Sequence, residues 1–218
     1  RCSYIADTMA YVNSHNFTID FVSTHEYPTE PHRRSSLRGV MQETSKLAQG
    51  LPVLYTEYNS GLYWDWPDFP NHDLPFASAF IVKNTVDTLG LVEMMYVAGC
   101  CCLYFCVRFA LCDFVALFVL TLHIIHNTQH TTHRAHTQVL LDISDVFEEG
   151  GFDPRPFHNG YGINTVINVP KPAYRAFELL HQLGDKQVAG KMTGQNTTVT
   201  CYAVRNDTGV TILCSNFI

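Results

Sequence analysis

Two short apolar runs in this chain each deliver a group of polar side chains at their ends. Ile19-Asp20-Phe21-Val22-Ser23-Thr24 leads into His25-Glu26-Tyr27-Pro28, and Val53-Leu54-Tyr55-Thr56 leads into Glu57-Tyr58-Asn59. A carboxylate, an imidazole and a phenol are the groups that transfer protons or attack an electrophilic carbon. Position alone leaves a plainer reading equally open, in which Glu57 and His25 are loop residues leaving buried strands. A second constellation is His126, His130 and His133, whose spacings of four and three share one helical face, as a metal site would need. No Asp or Glu is interleaved with these histidines, and the intervening Asn127-Thr128-Gln129 and Thr131-Thr132 are poor helix formers. We therefore expect neither metal nor cofactor.

The elements around the first two groups alternate. Tyr4 to Val12 reads as the end of a helix, and Ser35 or Ser36 could cap another that carries Leu37, Val40, Met41 and Leu47 and stops at Gly50. An aromatic loop, Tyr63-Trp64-Asp65-Trp66, precedes a helix from about Leu74 to Thr88. Strand and helix in alternation predict parallel βαβ units. Such sheets place chemistry in the loops at the C-terminal ends of the strands, where both polar groups sit. Lys171-Pro172 opens a last helix through Tyr174, Phe177 and Leu180 to Gly184. Beyond it, Thr198–Val204 and Val210–Cys214 alternate like antiparallel strands around Asn206-Asp207-Thr208-Gly209. This predicts a first unit over 1–184 and the beginning of a β-rich unit over 185–218.

Composition narrows the classes. With 46% hydrophobic and 16% charged residues, the 218-residue chain can fill a core. A net charge of −6, from 20 acidic and 14 basic side chains, excludes the basic footprint of a nucleic-acid binder. His32-Arg33-Arg34 with Arg38 reads as a solvated loop. Five of the eight cysteines crowd between Cys100 and Cys112, which is not the spacing of a disulfide framework. Cys201 and Cys214 can pair only if their strands are neighbours. Sequons at Asn16, Asn196 and Asn206 permit glycosylation in a secretory setting. The chain opens at Arg1 without methionine, already in helix-like sequence, so we expect its natural N-terminus to lie further upstream.

One stretch breaks the pattern. Met94 to Ile125 is strongly apolar and is followed by a His/Thr tract. As a membrane span it would carry Arg108 and Asp113, each costing roughly 2.5–3.5 kcal/mol at the bilayer centre. A membrane-anchored protein follows only if 94–125 is a real span, which those charges disfavour. Our expectation is that residues from about 97 to 138 are foreign to the fold, an intron carried into translation.

Five ordered stretches resemble glycoside hydrolase family 39, the β-xylosidases and α-L-iduronidases. They are Asp20–Pro28 (DFVSTHEYP), Leu51–Ser60 (LPVLYTEYNS), Asp145–Glu149 (DVFEE), Pro156–Gly162 (PFHNGYG) and Pro170–Phe177 (PKPAYRAF). The His-x-Tyr-Pro and Thr-Glu-Tyr-Asn pieces are more similar to the xylosidase branch. The resemblance implies an α/β fold, a partial (β/α)8 TIM barrel of about strands five to eight, followed by the beginning of a β-sandwich. It assigns Glu57 as catalytic nucleophile, at the end of the sixth strand. It places His25 and Tyr27, at the end of the fifth, beside the sugar next to the cleaved bond. Glu148, Glu149 and His158 become substrate-binding residues, and the partner is a carbohydrate such as a β-xyloside.

In a retaining glycosidase one carboxylate attacks the anomeric carbon, while a second carboxyl about 5–5.5 Å away protonates the leaving oxygen and then activates water. Trp64 and Trp66 could give a sugar ring an apolar platform, or simply pack beneath their loop. The sequence departs from the family twice. It contains no Asn-Glu-Pro, the motif of the family's acid/base, so that residue is expected upstream of Arg1 and the chain alone is expected to be inactive. Roughly forty extra residues also separate Met95 from Asp142, where the family runs from its seventh strand into the acidic loop almost directly. The alternatives are a non-catalytic carbohydrate-binding remnant and a mis-predicted gene product. A secreted or lysosome-like compartment is expected for the parent protein.

Overall fold

The computed structural model describes residues 3–27, 37–61, 71–97, 137–140, 144–145, 152–183, 186–188 and 199–217. Four parallel strands form one sheet in chain order: β1 (Val22–Glu26), β2 (Val53–Tyr58), β3 (Met94–Val97) and β4 (Thr137–Leu140). Helix α1 (Ser3–Ser14) precedes β1, α2 (Arg38–Leu47) joins β1 to β2, and α3 (Pro75–Asp87) joins β2 to β3. Neighbouring parallel strands joined by helices are the βαβ pattern the sequence predicts.

Each helix forms where its apolar spacing lets it cover the sheet. In α2 and its flanks, Leu37, Met41, Thr44 and Ala48 recur at helical spacing and are all buried. The cap expected from Ser35 or Ser36 is not what opens this helix. Buried Leu37 occupies the cap position, and its N–H donates to Asn84 Oδ1 of α3 at 2.7 Å. A neighbouring helix thus satisfies the orphan donor that a hydroxyl would otherwise take. Helix α3 is buried on nearly every side because it lies between two layers. Phe80 joins Val53, Tyr55, Tyr58 and Met95 in the sheet core, while Ala77, Ile81 and Val82 meet Ala173 and Ala176 of α4 (Pro172–His181).

A second, antiparallel sheet follows: β5 (Lys186–Gln187), β6 (Val199–Asn206) and β7 (Gly209–Asn216). Asn206 Oδ1 accepts from Thr208 N at 2.9 Å and Gly209 N at 3.0 Å, closing the two-residue turn between β6 and β7. The register sets Cys201 directly opposite Cys214, and the two form a disulfide. Cysteine spacing alone did not favour this bridge; strand pairing creates it. Alternate residues of β7 turn toward α3: Leu213 joins the α3–α4 cluster and Ser215 Oγ donates to Ala79 O at 3.0 Å. Phe217, just beyond, reaches Phe76 at 4.7 Å between ring centroids. The second sheet therefore shares the core of the first.

The anomalous stretch is bracketed by strands. Val97 ends β3, and Thr137 and Gln138 open β4, where they pair with Met94 and Met95. Residues 98–136, including His126, His130 and His133, lie outside the described residues. Further on, Ser144 makes a parallel bridge to Asn164, with Asp145 N donating to Asn164 O at 3.0 Å.

That bridge needs Gly162. A Cβ there would stand 2.4 Å from the Ser144 carbonyl carbon and 2.5 Å from Asp145 N, both backbone atoms that cannot rotate aside. Gly162→Ala is expected to lower unfolding stability by about 1–3 kcal/mol, the usual cost of overpacking. Gly39→Ala, with nothing within 4 Å, is its control. Equal urea midpoints for the two variants would refute the close approach.

Candidate functional site

An extra residue in β2 builds the centre of the site. Along β1, Thr24 pairs with Tyr55 but His25 pairs with Glu57, so β2 takes two steps against one. On the other flank Tyr55 pairs with Met95 and Tyr58 with Val97, three steps against two. The β1 pairing locates the surplus residue between Tyr55 and Glu57, within the Tyr55–Tyr58 interval where the β3 pairing also shifts, as a β-bulge does. Strand alternation is reset by one. Val53 and Tyr55 are buried, and after the bulge Tyr58 returns to the buried face. Glu57 is released to the other face, beside His25.

The carboxylate is then held from β1. Tyr27 OH donates to Glu57 Oε2 at 2.9 Å, and His25 Nδ1 lies 3.1 Å from the same oxygen. Two contacts on one oxygen fix the rotation of the carboxylate. The Glu57 side chain is 13% exposed and His25 47%, so the group is sheltered but reachable. Next to it Tyr58 is wholly buried, and burial pushes its phenol well above the usual tyrosine range, so it serves the core.

Behind Tyr27 stands a wall that sequence reasoning did not identify. The Tyr27 and Tyr161 rings are 6.3 Å apart, and His72 lies 4.8 Å from Tyr161. His72 belongs to a 3-10 turn, Asn71–Asp73, that is stitched to Asn159. His72 N donates to Asn159 Oδ1, and His72 Nδ1 meets Asn159 O, each at 2.9 Å. Asn159 N donates to Asp73 Oδ2 at 2.6 Å. Asn159 holds φ +67°, a conformation asparagine tolerates better than most residues. Beneath this wall lies Lys171, completely buried. Its ammonium reaches Asp73 Oδ1 at 2.7 Å, Gly160 O at 2.7 Å, and both Asp145 oxygens at 3.0 and 3.1 Å. Burial raises the Asp145 carboxyl above its ordinary value, and the Lys171 charge pulls it partly back.

Of the residues singled out from sequence, Glu57, His25 and Tyr27 come together. His158 sits beside Asn159 with Nδ1 2.8 Å from Arg155 O. Glu148, Glu149, Trp64 and Trp66 lie outside the described residues. The one visible hint of the buried wall was a lysine set between two prolines at 170–172. Among the described residues, no group of His, Cys, Asp and Glu could hold a metal, and no helix is long and apolar enough to cross a membrane.

His72 gives the wall a pH signature. Burial lowers its pKa to about 4, against 6.5 ordinarily, so between these values the unfolded chain binds the extra proton. Stability is therefore full above pH 6.5 and falls as pH drops toward 4, by an amount on the order of 3 kcal/mol. His72→Gln is expected to flatten that part of the stability–pH curve. Parallel curves for variant and parent, measured by urea unfolding, would contradict it.

Known proteins are similar to this chain. The family described as Glycosyl hydrolases family 39 matches residues 113–218, a match that opens inside the anomalous stretch. A β-xylosidase of Caldicellulosiruptor saccharolyticus is 28% identical over 228 residues, covering 98% of this chain and 38% of the relative. The chain thus spans well under half the length of that relative. Among solved structures, a GH39 β-xylosidase from Caulobacter crescentus superposes with a TM-score of 0.60 at 21% identity, over 95% of this chain and 35% of its own. The GH39 enzyme from Xanthomonas axonopodis pv. citri gives 0.60 at 20% identity, over 95% and 34%. These two likenesses speak to fold alone, a partial α/β fold. Through the family match over residues 113–218 and the curated relative over nearly its whole length, this chain is similar to glycosyl hydrolase family 39.

Proposed function

We propose that the protein containing this chain hydrolyses O-glycosidic bonds with retention, most simply those of β-xylosides, and that Glu57 is its nucleophile. The observation that carries this reading is the double hold on Glu57 Oε2 by Tyr27 and His25, at the C-terminal end of a parallel sheet. The β-xylosidase named among the relatives supports the choice of sugar. On this reading β1, β2 and β3 correspond to the fifth, sixth and seventh strands of a (β/α)8 barrel, and β5–β7 to the start of a β-sandwich.

The steps balance with two carboxyl groups. The Glu57 carboxylate attacks the anomeric carbon as the bond to the leaving oxygen breaks, and a carboxylic acid on the opposite side gives that oxygen its proton. The same group, now a carboxylate, takes a proton from water. The water oxygen then displaces Glu57 and restores the original configuration. The sequence holds no Asn-Glu-Pro, so this reading draws the acid/base from residues outside these 218, and the chain alone is inactive on it. Glu148, Glu149 and His158 are proposed to bind sugar hydroxyls. A secreted or lysosome-like compartment is supported by the Cys201–Cys214 bridge, since such bonds persist in oxidising surroundings.

We further infer that residues from about 97 to 138 are translated intron. Support comes from composition and position: three adjacent cysteines and a His/Thr tract interrupt otherwise ordered family-like stretches. Spliced transcripts are expected to lack the Cys100-Cys101-Cys102 codons; mature messages that consistently encode them would reject the idea.

In the full-length protein, Glu57→Ala is expected to lower turnover of an aryl β-xyloside by several orders of magnitude, because an acting nucleophile is lost. Added azide should restore turnover and give the glycosyl azide of inverted configuration. Near-normal activity in the variant would remove Glu57 from the mechanism.

A further inference from the structure

We propose that Lys171 is a positioning residue for Glu57, acting through the wall of Asp73, Asn159, His72, Tyr161 and Tyr27. The inference rests on the reading of Glu57 given above. The path is continuous. Lys171 Nζ holds Gly160 O at 2.7 Å, the peptide immediately before Tyr161, and Asp73 Oδ1 at 2.7 Å. Asp73 Oδ2 takes the Asn159 N–H at 2.6 Å, and Asn159 in turn binds His72 twice. The rings of His72 and Tyr27 both neighbour that of Tyr161, and Tyr27 donates to Glu57.

The chemistry of the ammonium explains why a lysine stands here. The ammonium must serve groups from three chain segments, donating to Asp145 and to the Gly160 carbonyl and pairing by charge with Asp73 of the 3-10 turn. Asp73 and Asp145 stand 72 positions apart in sequence and Gly160 a further 15, and the three share no secondary-structure element, so nothing in the backbone alone sets their spacing. A point charge on a flexible stem can meet all three; a planar guanidinium cannot without displacing one. Two buried carboxylates also face the ammonium, so it cannot be removed without leaving uncompensated charge. Stability alone would be met by apolar packing at the start of α4. The contacts lead instead from this charge to the Tyr27 hydroxyl.

The test uses Lys171→Met in the full protein, with Asp145→Asn, which removes one anchor and keeps the Lys171–Asp73 pair, as the variant to use if the first does not fold. Two measurements are made on folded protein. The His72 ring signals in NMR are expected to move away from their positions in the parent; unchanged signals overturn the proposal whatever the activity. Turnover of an aryl β-xyloside, per active site counted with a slow fluoro-sugar trap, is expected to fall about ten- to a hundredfold, since small misplacements cost that much, with KM nearly unchanged. In a Tyr27→Phe background the same substitution should cost less than about twofold, because coupled residues are not additive. Equal losses in both backgrounds overturn the proposal. A parent without glycosidase activity would instead refute the assignment of Glu57, while the ring signals still decide whether Lys171 governs the wall.

Discussion

The site depends on one surplus residue in β2. A strand packed on a core must keep its apolar side chains on one face, and strict alternation from Val53 and Tyr55 would put Glu57 inward and Tyr58 outward. The bulge before Glu57 resolves this conflict: Tyr58 closes the core against Phe80, and Glu57 faces His25 and Tyr27. Burying the phenol and freeing the carboxylate are thus one event. The site cannot be loosened without disturbing the core beneath it.

Support for that centre comes from distant parts of the chain. Helix α4 begins at Pro172, and its position is fixed by the small residues Ala173 and Ala176 packing on α3. This brings Lys171 under the Asn159–Tyr161 segment, where one charge gathers acceptors that the chain delivers separately. The second sheet adds to the same framework, because Ser215 and Phe217 pack against α3. The scaffold of Glu57 therefore extends through α3 and α4 to the last described residues.

Much of this was legible in sequence, and the reasons are local. The exits of β1 and β2 were marked by apolar runs ending in polar clusters, and α3 and α4 by proline at the first helical position. The bulge was readable in principle, since Val53, Tyr55 and Tyr58 break a spacing of two with a spacing of three. Lys171 was not, because its meaning lies in three acceptors far away in the chain. The cap of α2 failed for the same reason: a hydroxyl was sought nearby, and the partner came from Asn84 on another helix. The Cys201–Cys214 bridge follows from strand register, which composition does not encode.

The central claim is that the carboxylate freed by the bulge forms a covalent bond to the sugar. The direct measurement is to treat the full-length protein with a 2-deoxy-2-fluoro-β-xyloside bearing a good leaving group, digest it, and map the modified peptide by mass spectrometry. The account predicts one fluoroxylosyl unit esterified to Glu57, in the peptide containing Thr56-Glu57-Tyr58. A label on any other carboxylate, with Glu57 unmodified in an active enzyme, would contradict it.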